Sequence, residues 1–595
     1  MKTMKKIVAL LLALTFVVAL SACGKNKKHQ DGVMSVCLAS EPDTLDPALN
    51  SAVDGATMCV HLFSGLAKWA EGDDGNLEVV ADAATELTEP VVNADGTVTY
   101  TYTLRDGLKW SDGKDVTAND FAFAWQRAGT AALGADYMYM FEIVKGYSET
   151  DTNAQLDVKA VDAKTLQVTL TSNVPYWNQL LAFPCFFPVR EDVVSNESWA
   201  TDPSTYICNG PYVISEWDHN SVIKLKKNEN YVDADKVTME ELNFYLSDDA
   251  NNMLSNFQNG DWQLIDTVPT NEIANLQKDY KDEYHVTGQI GTYYACWNIN
   301  QDLLPNFSGT ADEKERAQEE IRSAISLLLD RNYIVNDIAQ AGQIPASSFV
   351  AMGITEPDGT EFYKNAGSSV STEYAGYFNT AESAFDSNFA SAVETLKKYY
   401  TYDDASKKFT DFPSITYLYN TDESHKAIGE YIQSALATVG INIQLENQEW
   451  NTFLNTRKNG DYGLARNGWI ADYSDPISFL DLWTSVSGNN DIQLGKGNAA
   501  NLKVYSIDLS KWGYDVKVEN GTWAQTYDVL ISTIKTCTDE TKRYEMMHYA
   551  EDLLMSTGCI CPIYFYTDIY MLDSDVQGYY ESPLGYKYFM YCTYK

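Results

Sequence analysis

Residues 462–471 are mostly apolar and are interrupted by Gly463 and Gly468. That pattern predicts a buried strand which another backbone approaches closely. Two further segments lead up to it. Residues 414–418 read as a strand, and residues 424–437 as a helix with Ile428, Ile432, Ala435 and Leu436 on one face. Gly440 ends that helix, and residues 441–445 alternate as a second strand. Strand, helix and strand at this spacing make a βαβ unit, hence an α/β lobe with a partly parallel sheet. Residues 446–450 lead into a short helix, then Arg457, then the glycine-bearing strand. Asp472 sits where that strand ends, and Asp475-Pro476 predicts a helix cap followed by proline at the first helical position.

The first part of the chain reads as scaffold. A short strand at residues 33–38 is followed by Ser40-Glu41-Pro42-Asp43-Thr44-Leu45-Asp46-Pro47, whose prolines fix an extended connection. A helix follows around residues 55–62. Residues 97–104 alternate threonine and tyrosine with apolar residues, a half-buried strand. Residues 105–114 carry two Asp-Gly turns, a hairpin signature, and Thr117-Ala-Asn-Asp120 is a capping box ahead of Phe121, Ala124, Trp125 and Ala128. Two stretches break the regular pattern. Residues 353–382 read as a long surface loop, and residues 488–523 as a decorated loop or small hairpin.

The N-terminus changes the picture of where the chain works. Lys2, Lys5 and Lys6 precede an apolar run from Ile7 to Leu20, too short to span a bilayer comfortably, so residues 1–22 read as an export signal. No later apolar run approaches twenty residues. The chain of 595 residues is too long for one ordinary core, which predicts two or three lobes. A net charge of −40 argues against nucleic acid or an anionic membrane surface as partner. Ten cysteines include no CxxC pair, and six histidines are too scattered for a metal cluster, so no metal and no cofactor is expected. No Gly-x-Ser-x-Gly elbow, HExxH or Walker-type loop is present, so no catalytic residue is assigned. What remains is chemistry for binding. Asp472 at the mouth of the strand, with Arg466 on it and Arg457 upstream, offers complementary charges to a ligand with two charged ends.

Several segments carry a resemblance that spans nearly the whole chain beyond the signal. Tyr102-Thr-Leu-Arg-Asp-Gly-Leu-Lys-Trp-Ser-Asp-Gly-Lys-Asp-Val-Thr-Ala-Asn-Asp-Phe121 resembles the signature of extracytoplasmic solute-binding proteins of peptide-type ABC importers. Asn209-Gly-Pro-Tyr212 with Trp217, Trp297-Asn-Ile-Asn300, Ile321-Arg-Ser-Ala324 with Asp330-Arg331, and Pro562-Ile-Tyr-Phe565 are similar to later landmarks in the same order. Leu20-Ser21-Ala22-Cys23 resembles the bacterial lipoprotein box, in which Cys23 takes the lipid and residues 23–32 form a tether. The block 420–481 is most similar to the oligopeptide-binding subgroup. That resemblance implies that Asp472, in Gly468-Trp469-Ile470-Ala471-Asp472-Tyr473, meets the peptide ammonium. It implies that Arg466, Arg457 and His425 meet the carboxylate, and that Asn420, Trp450 and Trp469 line the pocket. The Ser40–Asp46 segment, with Glu41, is placed on the opposite side of the cleft.

The expected fold is therefore α/β and periplasmic-binding-protein-like, with two lobes around a hinge and an additional α/β subdomain. The family pattern implies lobe I from residues 33–62, 196–288 and 566–595, the subdomain from 63–195, and lobe III from 289–565. The expected partners are an oligopeptide, an ABC permease with its ATPase, and the membrane through lipid on Cys23. The protein itself is expected to be an extracytoplasmic monomer. The same fold elsewhere takes oligosaccharides, metal chelates or haem, and a peptide-sensing lipoprotein or a cell-wall hydrolase also stays open. The two irregular stretches lie in the second half, where either is placed to reshape the cleft rim.

Overall fold

In the computed structural model, residues 29–72 and 75–595 are described. Cys23 and most of the tether lie outside them. The strand predicted at 462–471 forms over Leu464–Ile470 and lies inside an eleven-stranded sheet. Along that sheet the order is Ile443–Gln448, Ile415–Asn420, Leu464–Ile470, Tyr284–Trp297, Ile560–Leu572, Leu264–Ile265, Val33–Cys37, Glu241–Tyr245, Val222–Lys227 and Tyr212–Asp218. The short strand Ile344–Pro345 pairs beside Ile560–Leu572. Two strands are much longer than the rest. Tyr284–Trp297 and Ile560–Leu572 run antiparallel through the middle and belong to both halves of the sheet. Their register breaks between Gly288↔Thr567 and Thr292↔Phe565. Such a break bends a strand and raises its local twist.

The βαβ unit is present as read. Ile415–Asn420 pairs in parallel with Ile443–Gln448, joined by the helix Glu423–Ala437, whose Ile428, Ile432 and Leu436 are buried. Asp422 caps it by accepting the His425 N–H at 2.8 Å. Gly440 closes it at φ +83°, a conformation that an L side chain rarely adopts. The capping box at Thr117 and Asp120 opens the helix Ala118–Ala128. Strands Val91–Val92, Val98–Thr103, Val158–Ala160 and Thr165–Leu170 form a separate four-stranded sheet.

Of the two irregular stretches, 353–382 is largely a surface loop as read, whereas 488–523 differs from the sequence reading in burial. In 488–523 a hairpin of Tyr505–Asp508 and Lys517–Gly521 does form. Its approach, however, is core: Asn490, Ile492 and Leu494 are each 0 % exposed. Asn490 fixes this turn by donating to the Thr484 and Leu494 carbonyls at 3.0 and 2.8 Å and accepting from the Leu494 N–H at 3.0 Å. In 353–382, Phe362 is buried and stacks on His548 at 3.8 Å. Single large side chains pin both stretches. All nine described cysteines are buried and unpaired. Burial pushes the Cys37, Cys208 and Cys296 thiols up to about 12.

Beyond Asp472 the chain turns at Pro476–Phe479, where Asp475 accepts the Ile477 N–H at 3.0 Å. Arg543 grips the same carboxylate with two hydrogen bonds of 2.8 Å, and both side chains are 4 % exposed. This pair fixes the end of the glycine-bearing strand. Replacing Arg543 by Met leaves Asp475 buried without its cation, and should cost about 3–5 kcal/mol in a denaturant titration. An effect below about 1 kcal/mol would show that the pair does not hold this corner.

Candidate functional site

The strand Leu464–Ile470 is paired on both sides only at its beginning. Its parallel pairing with Ile415–Asn420 stops after Leu418↔Ala465, whereas its antiparallel pairing with Tyr284–Trp297 continues to Gly291↔Ile470. Residues 466–470 thus expose one backbone edge. The Ala471 N–H bonds to Ile290 O at 2.8 Å, so by alternation the amides of Gly468 and Ile470 point the other way. The Gly468 N–H is meanwhile capped by the neighbouring Asn467 Oδ1 at 2.8 Å. A Cβ at Gly468 would lie 2.1 Å from the Tyr566 hydroxyl, which explains the glycine.

This edge borders a cavity of about 450 Å³ between the two halves of the molecule. One wall comes from residues 38–40, 50–57, 248–273 and 584–587, the other from residues 420–425, 450–458 and 466–472. Of the residues singled out from sequence, Asp472, Trp469, Gly468, Ile470, Arg466, Arg457, His425, Asn420 and Trp450 all line it. Glu41 and Tyr473 do not. The Glu41 carboxylate is occupied by Trp217 Nε1 at 2.7 Å, His219 Nδ1 at 2.6 Å and the Asn220 N–H at 2.7 Å. Tyr473 is buried behind the wall, stacked on Tyr176 at 4.5 Å. The even spacing along an irregular segment gave no means of telling inward from outward residues there.

The charged residues fall into two kinds. Asp472 is 7 % exposed; its Oδ1 accepts from the Tyr137 hydroxyl at 2.9 Å and its Oδ2 has no partner. Burial raises its carboxyl well above the usual range, the Tyr137 hydrogen bond offsets this only in part, and nearby Asp481 adds to it. Arg466 lies over the Tyr293 ring at 5.3 Å, and its Nε has no acceptor. Among the described residues neither Asp472 nor Arg466 makes an ion pair. Arg457 differs: it donates to Asn467 Oδ1, pairs with Asp491 at 3.4 Å and lies 4.6 Å from the Phe453 ring centre. Its charge is already answered. His425 sits by the Tyr293 hydroxyl at 3.4 Å; burial, with Arg466 beside it, lowers its pKa to about 3. It therefore enters the site as a neutral imidazole.

Asn420 lies at the end of its strand with Oδ1 buried and unpartnered. Trp469 donates to the Ser478 carbonyl at 2.7 Å, and Trp450 donates to Asp54 Oδ2 at 3.1 Å. Sequence reasoning missed Tyr137, Asp54, Tyr566 and Asn467, all in the cavity wall. Asn467 is adjacent to Arg466 on the strand already singled out. Tyr137 and Asp54 come from distant segments with no local signal.

The model of the bacterial extracellular solute-binding proteins, family 5, matches residues 78–491. Oligopeptide-binding protein OppA of Bacillus subtilis is 31 % identical, with both chains covered completely. Among solved structures, the Escherichia coli murein tripeptide binding protein MppA aligns with a TM-score of 0.76 at 25 % identity, covering 94 % of this chain and 98 % of that one. The unliganded open form of MppA aligns at 26 % identity over 95 % and 98 % of the two chains, with a TM-score of only 0.57. The two-lobed α/β fold is common to both. The chain belongs to the bacterial extracellular solute-binding proteins of family 5, which are binding components of transporters and not enzymes.

Proposed function

We propose that the protein captures oligopeptides in this cleft and delivers them to the permease and ATPase of an ABC importer. Lipid on Cys23 holds it at the outer face of the membrane. The oligopeptide-binding relative of Bacillus subtilis supports this ligand class. The observation that carries the reading is the open edge from Arg466 to Ile470, flanked by Asp472 and Arg466. An extended peptide adds there as a strand, through amides that every peptide has. Its ammonium meets Asp472 and its carboxylate meets Arg466. Arg457 and neutral His425 are further partners for termini that fall elsewhere. Side chains enter a cavity with room for water, which keeps discrimination low.

The lobes follow the division at residues 62/63, 195/196, 288/289 and 565/566, and the hinge is the register break in the two long strands. Closure about it follows from affinity, because a peptide touches both walls only when the cleft is shut.

Calorimetric titration with tri- to hexapeptides tests the reading. N-acetylation of the peptide, or Asp472→Ala, should each weaken binding at least tenfold, consistent with about 2–5 kcal/mol for one partner of a buried charge pair. No heat with any peptide, for folded protein freed of carried-over ligand, overturns the peptide assignment.

The raised Asp472 carboxyl adds a pH signature. Its free form holds a proton more readily than an ordinary carboxyl, and an ammonium at Oδ2 favours the ionised form. Binding should therefore release protons and weaken as the pH falls, visible as a dependence of the heat on buffer ionisation enthalpy. Asp472→Asn should remove that dependence. Equal heats in all buffers for the wild-type protein would refute ammonium capture by this carboxylate.

A further inference from the structure

Away from the open strand edge, side chains from the two walls of the cavity bond directly to one another. Lys458, at the end of the helix Trp450–Lys458, pairs with Asp136 at 2.7 Å and donates to the Ser51 hydroxyl at 2.8 Å. Ser51 in turn donates to Asp136 at 2.9 Å, so the three close a ring. Lys458 and Asp136 are each 21 % exposed at the side chain, sheltered but not buried. At the start of the same helix, Trp450 Nε1 donates to Asp54, which lies in the first turn of the helix Val53–Leu62. Asp54 also accepts the Gly55 N–H at 2.8 Å. The helix Trp450–Lys458 packs on the strand Ile415–Asn420, whereas Val53–Leu62 packs on Tyr212–Asp218 at the other end of the sheet. These bonds therefore span the cleft.

Asp136 decides what they are for. It is the one member of this set outside the cavity lining. The other four, Ser51, Asp54, Trp450 and Lys458, reach the lining with their polar atoms already engaged across the cleft, while Asp136 holds Lys458 and Ser51 together from outside it. A Cβ at Gly488 would lie 2.4 Å from the Asp136 Cα, so the backbones of the two sides are in contact at this point as well.

We propose that Lys458, Ser51 and Asp136, seconded by Trp450 and Asp54, are positioning residues forming a latch that stabilises the shut cleft without reading the peptide. This rests on the peptide-capture reading and goes beyond it. Recognition then lies with the strand edge and the two unpaired charges, and retention time lies with the latch. A latch energy is common to all ligands, so it multiplies every affinity by one factor and leaves their ranking unchanged. It acts mainly on dissociation, because the bonds form after encounter.

The test uses the Asp136→Asn and Ser51→Ala variants with three peptides of unlike side chains. Asp136→Asn should raise Kd by about 5- to 30-fold, between the small effect of an exposed pair and the large effect of a buried one. The factor should be the same for all three peptides within about twofold and should appear in koff. Ser51→Ala should show the same pattern at smaller size, and Lys458→Arg should retain more of the retention time than Lys458→Met. Unchanged koff in both Asp136→Asn and Ser51→Ala overturns the latch. A penalty that differs strongly between peptides also overturns it, because the ring would then be reading side chains. The distance between probes on the two lobes, measured by double electron–electron resonance, provides a readout that needs no peptide. Asp136→Asn should shift that distribution towards the open form, and an identical distribution counts against the latch. If wild-type protein bound no peptide while this distribution still shifted, the ligand assignment would fail and the latch would stand.

Discussion

Two strands have to serve both halves of this molecule at once. Tyr284–Trp297 and Ile560–Leu572 supply the pairing partners on which each part of the large sheet is built, and they are also the covalent route between those parts. A continuous ladder through the middle would make the sheet one stiff body. The interruption between Gly288 and Thr292 removes ladder bonds just where the halves meet, and Gly288 has no neighbour within 4 Å of where a Cβ would stand. Residues 289–291 thereby leave the ladder between the two long strands, and Ile290 bonds instead to Pro583 and Ala471. Everything in the cleft inherits its geometry from this arrangement.

Because the strand Leu464–Ile470 is anchored to one of these central strands along its whole length, its free edge is presented as a fixed template. The same anchoring sets the charges. Asp472 and Arg466 are held in a desolvated cleft with no ion pair of their own, which raises the Asp472 carboxyl and leaves both groups to interact strongly with a charged ligand. Arg457 contrasts in charge: Asp491 pairs with it and Asn467 accepts from it within the chain, although its Nε stays unpartnered. Two arginines nine residues apart thus have different capacities for a ligand, although both line one cavity.

Much of this was legible beforehand where the signal was local. The βαβ unit, the Thr117 capping box and the Asp475-Pro476 turn each follow from residues a few positions apart, and all formed. The strand carrying Gly468 was legible as well, because an isolated arginine and a glycine in an apolar run ask for an explanation. Pairing was not legible. Nothing near Lys458 announces Asp136, and nothing near Asp472 announces Tyr137, because those partners are separated by hundreds of residues and meet only through the fold. Burial of the Asn-rich turn after Gly488 was also hidden. Asn490 is buried because it supplies the backbone's missing partners, and composition alone reads such residues as solvent-facing.

The nine buried thiols carry a consequence for how the chain must be made. An extracellular family member works in surroundings that favour disulfide formation. In the folded chain burial keeps thiols such as Cys37, Cys208 and Cys296 protonated and out of reach, which makes them poor nucleophiles. An unfolded chain has no such protection, and random pairing among nine sulfurs would compete with folding itself. Folding in such surroundings becomes a race: the core must close over its cysteines before the oxidant finds them. Where unfolded chains cross-link at random the route back is obstructed, and persistence is then set by the rate of opening rather than by equilibrium stability.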